Sequence, residues 1–344
     1  MIRTIAGALA AVLALLGPAA AVLLLLGLPA RPTRPCAVQP HLDLAHRGDV
    51  TDHPPNTLGA IVDAAAGGGA ELDVALLADD VVVVFHDEDT TRITGEPGLI
   101  ADRDAAAVAA LRTRTEIDGR TYAEREPVST LAEVLQAACT AHPDAWVYID
   151  LKTETSPFTT EWTTRMFERS LATWSASPCA AKTPTIFGVT NPIAAIELRA
   201  ALDALDRDNV HMEMFFHPDT YPLGEAMWMQ LELSPYLARP DILGAHYTVW
   251  QAHPDLARRY ASQGFCLAAY GGGRTELGAL EVADNLHFRT LDLPEGHVHQ
   301  GDNFTPGGVT YSAAWTPWWV LLAASVVWTL GLGGAAAGLL IRRR

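Results

Sequence analysis

Four short stretches carry residue types suited to acid–base and metal chemistry: His46-Arg47-Gly48, Glu71-Leu72-Asp73, His86-Asp87 and Asp150-Leu151-Lys152. Each lies at or just past the end of an apolar run, 42–45, 70–76, 81–85 and 146–151 in that order. Side chains alternate along a strand, so Glu71 and Asp73 share one face and Leu72 takes the other. Paired carboxylates repel unless a cation lies between them, and an all-oxygen set suits Mg²⁺ or Ca²⁺. Asp150 repeats the geometry on another strand and completes a three-carboxylate set. His46 and His86 can move protons near neutral pH. Arg47 can grip an anionic oxygen through its fork, and Lys152 can neutralise one. Taken singly, each stretch has a plainer explanation: a solvated strand edge for Glu71 and Asp73, a surface pair for His46 and Arg47, a capped strand end for His86, and a local salt bridge for Asp150 and Lys152.

These residues need a scaffold that brings several strand ends to one place. Nine strand-like runs are present, the four above followed by 185–189, 210–216, 242–247, 265–270 and 288–293. Helical patterns at 57–66, 104–112, 130–140, 160–174, 192–205 and 254–263 alternate with them. Thr130 followed by Glu133 reads as a capping box. Strands alternating with helices imply βα units and a parallel sheet. Eight such units close a (β/α)₈ TIM barrel, whose chemistry sits at the C-terminal ends of the strands. Nine runs are one too many, and 242–247 is a candidate loop strand rather than a stave.

The 344 residues carry a formal charge of −16. Arg3 and Arg342 to Arg344 flank a middle that holds 20 basic and 40 acidic residues. That excess of acid excludes a nucleic-acid partner that needs a basic face. Residues 5–28 and 318–341 contain no charge, and each is long enough to cross a bilayer. Trp315, Trp318 and Trp319 open the second run like an interfacial belt, and the three terminal arginines should stay on the cytoplasmic side. The expected layout is an N-terminal anchor or signal sequence (1–30), a barrel (31–299), a linker (300–316) and a C-terminal span with a basic end (317–344). The barrel then lies outside the cell, on a two-pass chain or on a single-pass chain if the first segment is cleaved.

The four cysteines, Cys36, Cys139, Cys179 and Cys266, form no CxxC pair, so a zinc site is disfavoured. Two disulfides in any of three connectivities and buried free thiols stand as equal alternatives, with Cys266 the candidate for simple core packing. His211 and Glu213 share a strand face, and these and the other histidines of the second half read first as structural. Residues 221–236, with Met227, Trp228 and Met229, read as a lid, a lipid-contacting loop or packing over a barrel end.

The order of the four stretches resembles the glycerophosphodiester phosphodiesterase family, within the phosphatidylinositol phospholipase C-like barrel superfamily. That family shows HRG with a following PENT-like segment, ExD, a strand ending in HD, ExK and a closing TDxP-like strand. The matches are His46-Arg47-Gly48, Pro54-Pro55-Asn56-Thr57, Glu71-Leu72-Asp73, His86-Asp87 and Asp150-Leu151-Lys152, with Thr290 to Pro294 a looser echo. The resemblance implies His46 and His86 as the acid–base pair, and Glu71, Asp73 and Asp150 as ligands of one divalent cation. It implies Arg47 and Lys152 as phosphate contacts. Glycerophosphodiesters or lysophospholipids, met at a membrane, are the implied substrates. Three positions depart from the pattern: Pro55 replaces a glutamate, Asp150 replaces a glutamate one methylene longer, and Tyr270 stands where a tryptophan is expected. Pro55 and Asp150 raise an alternative, a barrel impaired in catalysis that binds a lipid head group or a partner protein.

Overall fold

The computed structural model describes residues 31–34, 36, 42–152, 160–190, 192–216, 235 and 238–291. Both candidate spans, the linker, Asp292 to Pro294 and all of 221–236 except Pro235 lie outside these residues. Among the described residues no helix is long and apolar enough to cross a membrane.

The strands are β1 (Leu42–Ala45), β2 (Gly69–Leu76), β3 (Val82–Val84), β4 (Glu116–Ile117), β5 (Arg120–Thr121), β6 (Trp146–Leu151), β7 (Thr185–Val189), β8 (Val210–Phe216), β9 (Ile242–His246), β10 (Cys266–Tyr270) and β11 (Leu286–Leu291). The main sheet runs β1-β11-β10-β9-β8-β7-β6-β2-β3, and β1 also pairs with β2. That last pairing closes eight parallel strands into a TIM-like barrel. The surplus run is 81–85, because β3 pairs antiparallel with β2 outside the ring. The run at 242–247 is a true stave, bonded in parallel to β8 and β10. Four valines and a phenylalanine favour a strand but carry no signal for its direction. The short loop through Ala78, Asp79 and Asp80, closed by the Leu77 amide on the Val81 carbonyl, leaves no room for the crossover that a parallel partner needs.

The principal helices are α1 (Leu58–Ala66), α2 (Thr91–Thr94), α3 (Ala105–Ala110), α4 (Leu131–Ala141), α5 (Thr160–Ala176), α6 (Cys179–Lys182), α7 (Pro192–Leu205), α8 (Tyr247–Ala252), α9 (Pro254–Ser262) and α10 (Arg274–Gly278). Thr57 caps α1 through the Ala60 amide, and Thr130 with Glu133 forms the expected capping box on α4. The six longer patterns legible in the sequence are all helical. α2, α6, α8 and α10 span too few residues to show a period.

Apolar burial divides into three places. Leu44, Tyr148, Ile186, Ile242, Cys266, Ala268 and Phe288 fill the barrel interior. Residues such as Leu72, Ile149, Phe187 and Leu243 point outward from the same strands and pack under the helices. Val83, Phe85, Ile93, Ile100, Val108 and Ile117 form a separate core beneath an insert between β2 and β6. Leaving the mouth free of this packing lets polar groups gather there.

All four cysteines are paired, Cys36 with Cys266 and Cys139 with Cys179. Cys266 is therefore a cross-link to the segment before β1, not a free packing residue. The Cys139–Cys179 bond ties α4 to α6 across 40 residues, a loop whose closure contributes about 2–4 kcal/mol. Replacing both Cys139 and Cys179 by alanine should lower unfolding stability by about that amount, read from urea titrations of the full chain.

Candidate active site

The HRG turn leaves β1 with Arg47 at φ 57° and Gly48 at φ 87°. A Cβ on Gly48 would lie 2.5 Å from the Ala60 carbonyl carbon, so only glycine lets this turn sit against α1. The turn presents the Arg47 amide to Glu71 Oε2 at 2.7 Å and brings His46 Nε2 to 4.0 Å from the same oxygen. The Arg47 guanidinium is buried, and its Nε lies 3.1 Å from Asp73 Oδ2. The side chain expected to contact phosphate thus holds a carboxylate.

Register does the rest. Glu71 pairs across the sheet with Tyr148, and Asp73 with Asp150. Side chains alternate, so all four point into the barrel mouth. Glu71, Asp73 and Asp150 each offer an oxygen within 4.8 Å of the others, which makes a cluster able to hold a metal ion. Asp150 therefore reaches the set despite its shorter side chain. Lys152 Nζ lies 2.8 Å from Asp73 Oδ1 and 2.5 Å from Asp150 Oδ2. A cation already sits among the carboxylates in the form of an ammonium group, and the hard oxygen donors around it fit a divalent ion.

Asn56 belongs to the Pro54-Pro55-Asn56-Thr57 segment that follows the HRG turn. It adopts φ 59°, donates from Nδ2 to Asp73 Oδ2 at 2.7 Å, and accepts the Asp73 amide at 3.1 Å. This two-way clasp fixes the carboxylate that bears most charge. Pro55 lines a small pocket with Arg47, His86 and Arg92.

Charge is distributed unevenly. Burial, then the neighbouring Asp73 charge, pushes Glu71 up to about 7. Burial pushes Asp73 the same way, but Lys152, His86, Arg47 and His46 together hold it well below the usual carboxylate range. His86 is lowered by burial and by the positive charges of Arg47 and Lys152. Its Nδ1 lies 2.8 Å from Asp87 Oδ1. An ionised carboxylate only accepts, so Nδ1 carries the proton and Nε2 is left as an acceptor.

Glu213 also points into the interior, level with Gly188 and, one strand further, with Asp150. Burial first, then the charges of Asp150 and Glu71, pushes it up to about 8, against a hydrogen bond from Tyr148. Gly188 makes room for the Tyr148 hydroxyl and Gly244 for the Glu213 carboxyl, since a Cβ at either would lie within 2 Å of them. The shared face of His211 and Glu213 was legible from the sequence, but the partners across three strands were not. His211 stacks on Trp146 at the opposite end of the barrel, a structural place. Tyr270 packs edge-on against Phe215 and His246 at the mouth and donates to the Phe216 carbonyl.

A family model described as "Glycerophosphoryl diester phosphodiesterase family" matches residues 46–276. The chain belongs to this family. This is a family of phosphoric diester hydrolases that use a divalent metal. The chain is 34% identical over 111 residues to glycerophosphodiester phosphodiesterase 1 of Bos taurus, a match covering 32% of this chain and 33% of the relative. It thus spans about a third of the length of that curated relative. A glycerophosphodiester phosphodiesterase from Parabacteroides distasonis superposes with a TM-score of 0.56 at 23% identity, covering 75% of this chain and 95% of that one. An Oleispira antarctica phosphodiesterase, solved with the product sn-glycerol-3-phosphate, gives 0.57 at 20% identity, covering 74% and 93%. At these identities the superpositions establish the shared barrel.

The buried acids set a pH dependence for the cation-free protein. Glu71 is raised from an ordinary 4.5 to about 7, so the folded state binds its proton more tightly than the unfolded state does. Stability present below pH 4.5 is then lost as pH rises through 7. In chelator, the Glu71→Gln variant should show a flatter melting-temperature profile over that window than the parent chain. It should also gain less from added Mg²⁺ or Ca²⁺, read by thermal unfolding.

Proposed function

We propose that this chain hydrolyses glycerophosphodiesters or lysophospholipid-type diesters with one Mg²⁺ or Ca²⁺ held by Glu71, Asp73 and Asp150. The observation that carries the reading is the convergence of His46, His86 and three carboxylates at one barrel mouth. A bound divalent ion would supply Lewis-acid polarisation of the phosphoryl oxygens. His46 and His86 divide the proton work: one takes the proton of the attacking hydroxyl, and the other gives a proton to the leaving alkoxide as the P–O bond breaks. The attacking group is water or a neighbouring substrate hydroxyl, the second giving a cyclic phosphate first. Lys152 offers positive charge to a phosphate oxygen. Arg47 acts from behind, holding Asp73 in place.

The location is read from the chain ends and the cysteines. Two uncharged runs, at 5–28 and 318–341, flank the barrel. Arg342 to Arg344 favour a C-terminus inside the cell, which would put the barrel outside in a two-pass arrangement, or in a single-pass one if the first segment is removed. The two disulfides support an oxidising location. A barrel anchored there meets diesters released from, or still seated in, the bilayer surface.

A second reading, head-group or partner binding without turnover, draws on Lys152, whose ammonium ties Asp73 to Asp150. Turnover decides between them. The full chain should hydrolyse glycerophosphocholine or a lysophospholipid with Mg²⁺ or Ca²⁺ and stop in chelator. His46→Ala or His86→Ala should each lower kcat by about 10²–10⁴-fold. Metal-independent turnover, or turnover indifferent to both substitutions, would overturn the mechanism, whereas head-group binding with no turnover under any metal would support the second reading.

A further inference from the structure

The insert between β2 and β6 has its own small core, and one product of that core reaches the active site. Residues 116–121 form a hairpin in which Ile117 pairs with Arg120 around Asp118-Gly119. Both turn residues have positive φ, 52° and 77°, the geometry that Asp-Gly favours in a two-residue hairpin. Arg120 fastens the hairpin to the segment after the HRG turn through the Thr51 carbonyl at 3.1 Å. The turn buries the Asp118 side chain to 1% exposure and brings Oδ2 to 2.7 Å from Arg92 Nη1. Arg92, on α2, turns its other edge to Asp87, donating from Nε to Oδ2 at 2.6 Å and from Nη2 to Oδ1 at 2.8 Å. Asp87 in turn meets His86 Nδ1 at 2.8 Å.

We infer that Arg92 and Asp118 are positioning residues that act through Asp87 to fix the ring orientation and Nδ1–H tautomer of His86. The inference rests on the proposed role of His86 and extends it to a hairpin tip about thirty residues away in sequence. The physical need is specific. Nδ1 keeps its proton only if an acceptor stays in the ring plane beside it, and a lone exposed carboxylate next to a histidine rotates freely. Two parallel hydrogen bonds from a guanidinium remove that freedom. The guanidinium needs its own anchor, because Arg92 would otherwise swing toward solvent. Asp118 supplies that anchor from a turn whose backbone is set by local chemistry. The groups facing His86 from other elements are Arg47 after β1, Asp73 on β2 and Lys152 after β6. Asp87 meets Nδ1 directly, so orientation control is routed through Asp87 and its two supporters.

Histidine-labelled ¹⁵N spectra of the full chain report the tautomer, with the His86 signals assigned by their loss in His86→Gln. In the parent chain Nδ1 should be the protonated nitrogen. Arg92→Lys keeps the charge and loses the fork, and Asp118→Asn keeps the shape and loses the charge. Each should give a mixed His86 tautomer and about a 10-fold lower kcat with little change in KM, the usual scale for removing an outer partner of a functional histidine. A purely structural role would lower the melting temperature without moving the tautomer. Should Arg92→Lys fail to fold, the near-isosteric Asp118→Asn carries the test alone. An unchanged tautomer in a folded Asp118→Asn variant would overturn the inference. A tautomer shift in a protein that hydrolyses no diester would leave the positioning chain standing and remove the hydrolase reading instead.

Discussion

Three carboxylates held within 4.8 Å of one another are the constraint on which the rest of this molecule depends. The register that places Asp73 level with Asp150, and Glu71 two residues earlier on the same face, concentrates negative charge in a buried space. Burying like charges together is costly unless something neutralises them. Each nearby feature does part of that. Glu71 is driven toward its neutral form, Arg47 and Asn56 hold Asp73, and Lys152 bridges to Asp150. A protein that needed only stability would replace the cluster with apolar side chains. Its place at the mouth of the barrel fits the divalent metal that the family uses.

The barrel supplies the rigidity that such a cluster requires. Interior residues Leu44, Ile186, Ile242 and Phe288 pack against one another inside the ring, which holds the strands that carry the cluster. The insert adds a second layer of control, because it carries His86 on the extension of β3 rather than on a stave. One proposed proton carrier, His46, therefore follows β1 and the other, His86, belongs to the insert, with the carboxylates beside both. This arrangement leaves the geometry between His46 and His86 dependent on how the insert packs, with Phe85, Ile93 and Ile117 as its own core.

Much of this was legible in the sequence, and for a physical reason. The i, i+2 rule puts Glu71 with Asp73 on one face whatever the fold, and strand–helix alternation with strand-end polar residues points to a barrel mouth. Long helices showed their periods and caps. The misplaced stave arose because β-branched runs at 81–85 and 242–247 look alike, and only pairing partners tell a hairpin arm from a barrel strand. The cysteine pairing, the Asn56 clasp on Asp73 and the Arg92–Asp118 link join residues far apart in sequence through backbone turns. Positive-φ turns at Asn56 and Asp118 position the last two of these contacts, and residue type alone hints at such a turn only where Asp118 precedes a glycine. The burial of Arg47 against Asp73 was not legible, because its motif gives no sign of how the turn aims the side chain.

The most direct measurement is a crystal structure of the full chain soaked with Mn²⁺, located by anomalous scattering. A single peak should lie about 2.0–2.6 Å from oxygens of Glu71, Asp73 and Asp150, with the Lys152 ammonium moved out from between the two aspartates. A chain that turns over phosphodiesters in chelator, with Lys152 still bridging Asp73 and Asp150 and no peak at the cluster, would contradict a cation-centred site.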